Sequence, residues 1–330
     1  MILCKTPLRV SLFGGGTDFP SWFNKHSGMT ISIAIDKFCY ILIRELPKTF
    51  RFKYRLRYFK TETSNNISNI KHPSIKAILK KYNFTKTNFE IYHSSDIPGL
   101  SGLGSSSAFT VSLINSIHAW NYIYLSKKKL SEKAIYVERN LLKESVGYQD
   151  QYSSAFGGIN VIKYSKKKID VKPLKILASK KKKILKNSLI VFSGIQRKAD
   201  PIEKDKQKNI NKNYKYLTEL NKISLEAKKI LESNNKNFLV EIGKLLNMSW
   251  NIKKRLSHLV SNPKIEKLYN FGIKNGAIGG KLLGAGGGGY ILFLTENEKN
   301  QRRLIKSLKN NVYFKISENH KGSEIIYKSF

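Results

Sequence analysis

The stretch of this chain richest in chemistry is Ser94 to Ala108, SSDIPGLSGLGSSSA, which follows a strand-like run, Phe89 to His93, and leads into a helical one starting near Ser105. Glycines at 99, 102 and 104 let the backbone come close to a ligand and take positive φ, and a helix N-terminus offers unpaired N–H groups at a positive dipole end. The consecutive hydroxyls of Ser105, Ser106 and Ser107 add phosphate donors, a helix cap and an oxygen ligand for a divalent cation such as Mg²⁺. The pattern predicts a phosphate-binding loop. It is not a Walker loop, because GxxxxGK[ST] and its lysine are missing. The phosphate charge then falls to amides, a metal and basic residues elsewhere.

Three further segments carry usable groups. Pro7 to Pro20, PLRVSLFGGGTDFP, is a short strand running into a glycine triplet, where Asp18 is placed to accept hydrogen bonds from hydroxyls and Arg9 to project into the same cleft; an ordinary hairpin with a surface Asp has the same pattern. Lys281 to Phe293, KLLGAGGGGYILF, satisfies GxGxxG formally, but a strand follows where a dinucleotide site needs a helix. It reads better as a rigid turn packed against another loop. Glu138 to Gly158, ERNLLKESVGYQDQYSSAFGG, holds Asp150, one of seven aspartates in the chain, twelve residues after Glu138. Both carboxylates are able to face one site, although Glu138 on a helix also reads as a surface charge.

These segments need a scaffold, and 330 residues with 41% hydrophobic content provide for two domains or one large two-lobed one. Strand-like runs at Val10 to Phe13, Met29 to Ile35, Cys39 to Arg44 and Phe89 to His93 alternate with helical ones, of which Ser105 to Tyr124 is the clearest. RFKYRLRY, Arg51 to Tyr58, predicts an exposed strand burying one face. Lys127 to Lys129, Lys166 to Lys168 and Lys180 to Lys183 read as solvated turns, the last at a domain boundary ahead of a strand at Ser188 to Phe192. From Asn209 to Tyr269 the spacing is helical, and a mixed pattern returns near Ile278. The whole is α+β.

The formal charge is +37, from 60 Lys and Arg against 23 Asp and Glu. Fifty of the 60 are Lys, as an AT-rich coding sequence would produce, whereas phosphate-groove readers favour the bidentate Arg fork. The charge favours anionic small-molecule substrates over a specific nucleic-acid partner. Cys4 and Cys39, without CxxC, exclude a disulfide framework or structural zinc site and read as buried thiols. With neither a secretory signal pattern nor an apolar run near 18 residues, the expectation is a soluble cytoplasmic protein with no membrane partner.

Taken together, the motifs PGLSGLGSSSA, PLRVSLFGGGTD and KLLGAGGGG, in their order, resemble the GHMP kinases, the superfamily of galactokinase, homoserine kinase, mevalonate kinase and phosphomevalonate kinase. GGGTD and GYQDQYSSAFGG look most like its sugar-1-kinase branch, which includes heptose 7-phosphate kinases, with L-fucokinase domains close by. The resemblance implies an N-terminal domain of the ribosomal protein S5 domain 2-like type over residues 1–180, a ferredoxin-like C-terminal domain over 181–330, and an active site between them. It implies ATP-dependent phosphorylation of the anomeric hydroxyl of D-glycero-D-manno-heptose 7-phosphate for nucleotide-activated heptose and surface polysaccharide, the alternatives being a neutral-sugar 1-kinase and, from another class, a basic nucleic-acid-binding protein. By the same resemblance Pro98, Gly99, Ser101, Gly102, Leu103, Gly104, Ser105, Ser106 and Ser107 bind ATP. Ser105, Ser106 and Glu138 hold Mg²⁺, Asp150 is the catalytic aspartate and Arg9 its basic partner. Gly15, Gly16, Thr17 and Asp18 contact the acceptor, with Gly286 and Gly287 of the C-terminal turn. If the acceptor carries a phosphate, Arg197 and Lys198 are candidates to hold it, and Lys281 is placed to face a phosphate of either ligand. Galactokinase has Gly-Glu-His in place of the glycine triplet, so its sugar contacts do not carry over.

Overall fold

The computed structural model describes residues 1–84 and 87–329. The N-terminal half opens with two long strands, β1 (Ile2–Phe13) and β2 (Gly28–Glu45), separated by a glycine turn and the short helix α1 (Pro20–Phe23). After β3 (Tyr54–Arg57) and β4 (Thr61–Ser64), helix α2 (Pro73–Lys81) leads to β5 (Phe89–Ser95) and then to the buried helix α3 (Ser105–Trp120). Helices α4 (Lys127–Tyr136) and α5 (Gln149–Phe156) follow, then the hairpin β6 (Ile159–Tyr164) and β7 (Ile169–Pro173). Apolar side chains of β1, β2, β5 and α3 form the main core, with Leu8, Val10, Ile31, Ile41 and Val111 fully enclosed.

Strand β2 changes partners along its length. Its first half pairs with β6 and its second with β5, and the register against β1 slips between Pro7 and Arg9. Such a slip bends a strand and re-aims side chains. Here it lies immediately before Arg9.

The C-terminal half begins with α6 (Ala178–Asn187) and β8 (Ser188–Phe192), continues through α7 (Asp200–Lys208), α8 (Tyr214–Glu232), α9 (Phe238–Arg255) and α10 (Pro263–Lys274), and ends in β9 (Ala277–Leu282), β10 (Tyr290–Thr295), α11 (Glu298–Ser307), β11 (Tyr313–Phe314) and β12 (Glu324–Lys328). Its four-stranded antiparallel sheet has the order β11-β8-β10-β9. Strand β12 does not join it but crosses back to pair antiparallel with β1 in the first sheet, order β12-β1-β2-β5-β3-β4. A division at residue 180 falls inside α6.

Several elements differ from the expectations of the sequence. Helix α3 stops at Trp120, because Asn121 caps it and Tyr122 takes a positive φ. Lys127–Lys129 open helix α4 and Lys180–Lys183 lie within α6, so neither run is a turn. Lys180 is buried, donating to the carbonyls of Ile230, Leu231 and Ser233, where the end of α8 leaves acceptors free. The strand within RFKYRLRY buries Tyr54 and Leu56 and leaves Arg55 and Arg57 on Glu90, with Arg44 beside them. Cys4 and Cys39 are buried free thiols. Among the described residues no helix is long and apolar enough to cross a membrane.

Candidate active site

A cavity of about 490 Å³ lies where the two halves meet. The phosphate loop, the Gly14–Gly16 turn, the start of α5, α7 with its preceding loop, the end of α9 and the C-terminal glycine turn all contribute to its wall.

At its centre Arg9 and Asp150 form a fork: Nε donates to Oδ1 at 2.7 Å and Nη2 to Oδ2 at 2.6 Å. A guanidinium pairs with a carboxylate in this planar way where an ammonium cannot. Arg9 is nearly enclosed, with 5% of its side chain exposed, while Asp150 keeps 28% open to the cavity. The third guanidinium nitrogen, Nη1, donates to the Gly102 carbonyl at 2.8 Å, and the Arg9 amide donates to Leu103 O. The fork is thus tied directly to the phosphate loop. Gly104 caps α3 with φ +76°, and a Cβ there would meet Arg9 Cγ at 3.1 Å and Asp150 Oδ2 at 3.4 Å. The carboxylate therefore lies close to the positive end of α3, where phosphates would bind.

Leu100, Ser101, Gly102 and Gly104 line the cavity together with Ser105, Ser106 and Ser107. Pro98 and Gly99 are not among the lining residues, and Leu103 is fully buried in the core. Glu138 is fully buried in a π-helical turn, Val137–Leu141, that continues α4. Its Oε2 accepts from Ser107 Oγ at 3.0 Å and from Gln151 Nε2, and its Oε1 has no hydrogen-bond partner. The hydroxyl on Glu138 is thus that of Ser107 and not that of Ser105 or Ser106. Burial pushes the Glu138 carboxyl up to about 8, the Gln151 bond pulling the other way. An enclosed carboxylate with a free oxygen behind a row of hydroxyls suits a hard divalent cation.

A test follows from that carboxyl. Its folded value lies above its ordinary one, so the stability linked to it is present below about pH 4.5 and is lost as pH rises through about 8. Without divalent cations, Glu138→Gln is expected to flatten the fall in Tm between pH 5 and 8. Mg²⁺ should raise the wild-type Tm more at pH 8 than at pH 6, since binding must displace the proton. Equal pH slopes in the two proteins, or a Tm indifferent to Mg²⁺, would remove Glu138 as a ligand.

Gly15, Gly16 and Asp18 form another part of the cavity wall. Thr17 is fully buried and donates to Gly14 O at 2.8 Å, locking the turn. Asp18 accepts from the amides of Gly16 at 2.9 Å and Gln149 at 3.1 Å. Burial, with Asp150 nearby, raises its carboxyl to about 6. Lys281 is buried, donates to Leu12 O at 2.9 Å, and is driven down to about 7 by burial and the neighbouring Arg9. Arg197 and Lys198 also reach the cavity. In the C-terminal turn Gly284 and Ala285 form the wall, and Gly286 connects to it through its carbonyl, which accepts from Arg197 Nε. Gly287 packs beside the Arg197 side chain, a Cβ there falling 3.7 Å from Arg197 Cδ.

Sequence reasoning missed Gln151, Glu203, Lys206 and Lys253. Two had a signal. Lys253 follows Leu246 and Trp250 at the i, i+4, i+7 spacing of a buried stripe, and Lys206 follows Ile202 by four; a lysine on an apolar stripe is there for a reason.

A buried Arg–Asp fork beside a helix N-terminus lined with amides and hydroxyls suits a phosphotransferase. The match to known families is specific. The model of the GHMP kinases N terminal domain matches residues 69–158 and that of the GHMP kinases C terminal matches 228–313. A D-glycero-alpha-D-manno-heptose 7-phosphate kinase from Campylobacter jejuni is 31% identical over 317 residues, 93% of each chain. A solved structure of a sugar kinase from C. jejuni aligns with a TM-score of 0.77 at 26% identity, over 98% of this chain and 97% of that one. The fold is also that of a D-glycero-D-manno-heptose 1-phosphate kinase from Bacteroides thetaiotaomicron, TM-score 0.80 at 22% identity over the full length of both. The chain belongs to the GHMP kinases, with that family's two-domain fold, and is an ATP-dependent enzyme.

Proposed function

We propose that the protein is a sugar 1-kinase that transfers the γ-phosphoryl group of ATP to the anomeric hydroxyl of D-glycero-D-manno-heptose 7-phosphate, giving the 1,7-bisphosphate. The observation that carries the kinase reading is the Arg9–Asp150 fork set against the phosphate loop in a shared cavity. The acceptor is supported by the likeness over 93% of the chain to a heptose 7-phosphate kinase.

In this reading the amides and hydroxyls of Gly102 to Ser107 cradle the ATP phosphates. Asp150 accepts the proton of the sugar hydroxyl as the new O–P bond forms, and Arg9 holds its carboxylate in place and offsets charge at the attacking oxygen. An anomeric hydroxyl is somewhat more acidic than an ordinary alcohol, which lightens the demand on that base. Asp18 accepts from sugar hydroxyls. Glu138, with the serine hydroxyls of α3, would hold Mg²⁺, whose chemistry when bound is to neutralise the phosphate oxygens.

The test is a coupled ADP-release assay with MgATP against D-glycero-D-manno-heptose 7-phosphate, mannose, fucose, galactose, homoserine and mevalonate, with ³¹P NMR of each product. Turnover on the heptose phosphate with a new anomeric phosphate signal is expected. Turnover confined to a neutral sugar would keep the Asp150 chemistry and discard the acceptor. No turnover with any of them would sink the proposal.

A further inference from the structure

Six basic side chains line the cavity against five carboxylates, and most of the basic ones are not ion-paired with those carboxylates. Arg9 is matched by Asp150, and Lys206 by Glu203 at 2.9 Å. Arg197, Lys253 and Lys281 line the same cavity, and among the described residues none of them forms an ion pair. Backbone carbonyls hold them instead: Gly286 O takes Arg197 Nε, Leu282 O and Gly284 O take Lys253 Nζ at 2.8 and 2.6 Å, and Leu12 O takes Lys281 Nζ. Arg197 Nη2 is buried with no partner. Lys206 and Lys253 are each only 8% exposed. Enclosed cations without an ion-pair partner are costly, and burial together with the neighbouring cations depresses the Lys253 ammonium well below its ordinary range, Glu203 pulling the other way. An anion with several acceptor oxygens would take up the donors that carbonyls now hold or that Arg197 Nη2 leaves free.

The position of the cluster indicates which anion. Gly16 abuts Leu217 and Leu256, and Lys253 lies three residues before Leu256 on the end of α9. Glu203 is near enough to Asp18 to raise its carboxyl. The cluster therefore borders the Gly14–Asp18 turn as well as the Gly284 turn that abuts Gly102, and the ATP phosphates already have the amides of the Gly102–Ser107 loop. Glu203 Oε2, buried without a hydrogen-bond partner, offers a further acceptor for hydroxyls beside the cations. We infer that Arg197, Lys206 and Lys253 form a second phosphate-monoester subsite, which grips the phosphate of an acceptor already phosphorylated at the end remote from its reacting hydroxyl. This rests on the reading of the protein as a sugar 1-kinase and adds to it the residues that select a phosphorylated sugar.

The experiment uses Arg197→Gln and Lys206→Gln, with Lys253→Met added if its melting curve shows a folded protein. Steady-state kinetics with D-glycero-D-manno-heptose 7-phosphate and MgATP are combined with calorimetric binding of that acceptor and of unphosphorylated D-glycero-D-manno-heptose. Loss of one charged hydrogen bond should raise the KM for the phosphorylated acceptor roughly 10- to 100-fold and cut the preference for it over the unphosphorylated heptose by a similar factor, with the KM for MgATP shifting less than about twofold. A rise in the ATP KM in place of the acceptor KM would assign the cluster to the donor and overturn the inference, as would equal losses on both acceptors. A wild-type enzyme that phosphorylates a sugar but ignores its remote phosphate overturns the subsite and leaves the kinase reading standing. One that phosphorylates no sugar overturns both.

Discussion

Replacing Asp150 with Asn is expected to lower kcat by about 10²- to 10⁴-fold, the usual contribution of a positioned acid–base group, while MgATP binds with nearly its original affinity. The amide keeps the size of the carboxylate and one oxygen for the Arg9 fork, so the cavity should keep its shape. What disappears is the acceptor for the sugar proton and half of a mutual charge balance. Arg9 is almost fully enclosed, and without its carboxylate the guanidinium is a buried cation facing the cavity. The two effects separate in one measurement: lost proton acceptance lowers kcat, whereas a disordered Arg9 also disturbs Gly102 and raises the KM for ATP. A kcat within a few-fold of wild type would remove Asp150 from the chemistry.

The second large effect is expected from Gly284→Ala. Two glycine loops from opposite halves of the chain meet backbone to backbone here. A Cβ on Gly284 would fall 2.6 Å from the Gly102 Cα and 2.9 Å from its carbonyl oxygen, and the residue sits at φ +67°. A left-handed alanine costs about 1–2 kcal/mol and an overpacked contact about 1–3 kcal/mol. At roughly 2 cal/mol/K of unfolding entropy per residue, that total lowers Tm by about 3–7 °C for a chain of this size. The carbonyl that would be pushed is the one that holds Arg9 Nη1, so the strain passes to the catalytic fork. A shift of about 1 Å in positioned groups can cost about 10²-fold, and kcat should fall toward that figure. Unchanged Tm and kcat, read by thermal melting and the ADP-release assay, would show that the loops do not abut.

These contacts explain how far the sequence could be read. The phosphate loop, the GGGTD turn and the second glycine turn were legible because close backbone approach demands glycine at fixed spacing, and the helix after Ser105 because its apolar residues repeat. That the 281–293 segment is a turn packed on another loop, and not a dinucleotide site, followed from the strand after it, and Gly284 does lie on Gly102. Lysine runs misled, because charge density alone does not tell a turn from a helix whose one lysine folds inward, as Lys180 does. Lys253 and Lys206 went unread because each stands in a basic run that masks its place on the apolar stripe of its helix. Glu138 stood undecided between ligand and surface charge on spacing alone; burial and the Ser107 bond are products of packing that no local pattern contains.

Strand β12 closes the edge of the first sheet against β1, across more than 300 residues of intervening chain. The first sheet is therefore completed by a strand from residues 324–328. During synthesis the outer edge of β1 waits, with its N–H and C=O groups unpaired, until β12 has left the ribosome. A fragment cut at residue 180 would carry that open edge permanently and would tend to associate through it. Closure over so long a loop places this step among the slow ones of folding. Arg9, which holds Asp150, sits on the strand that waits.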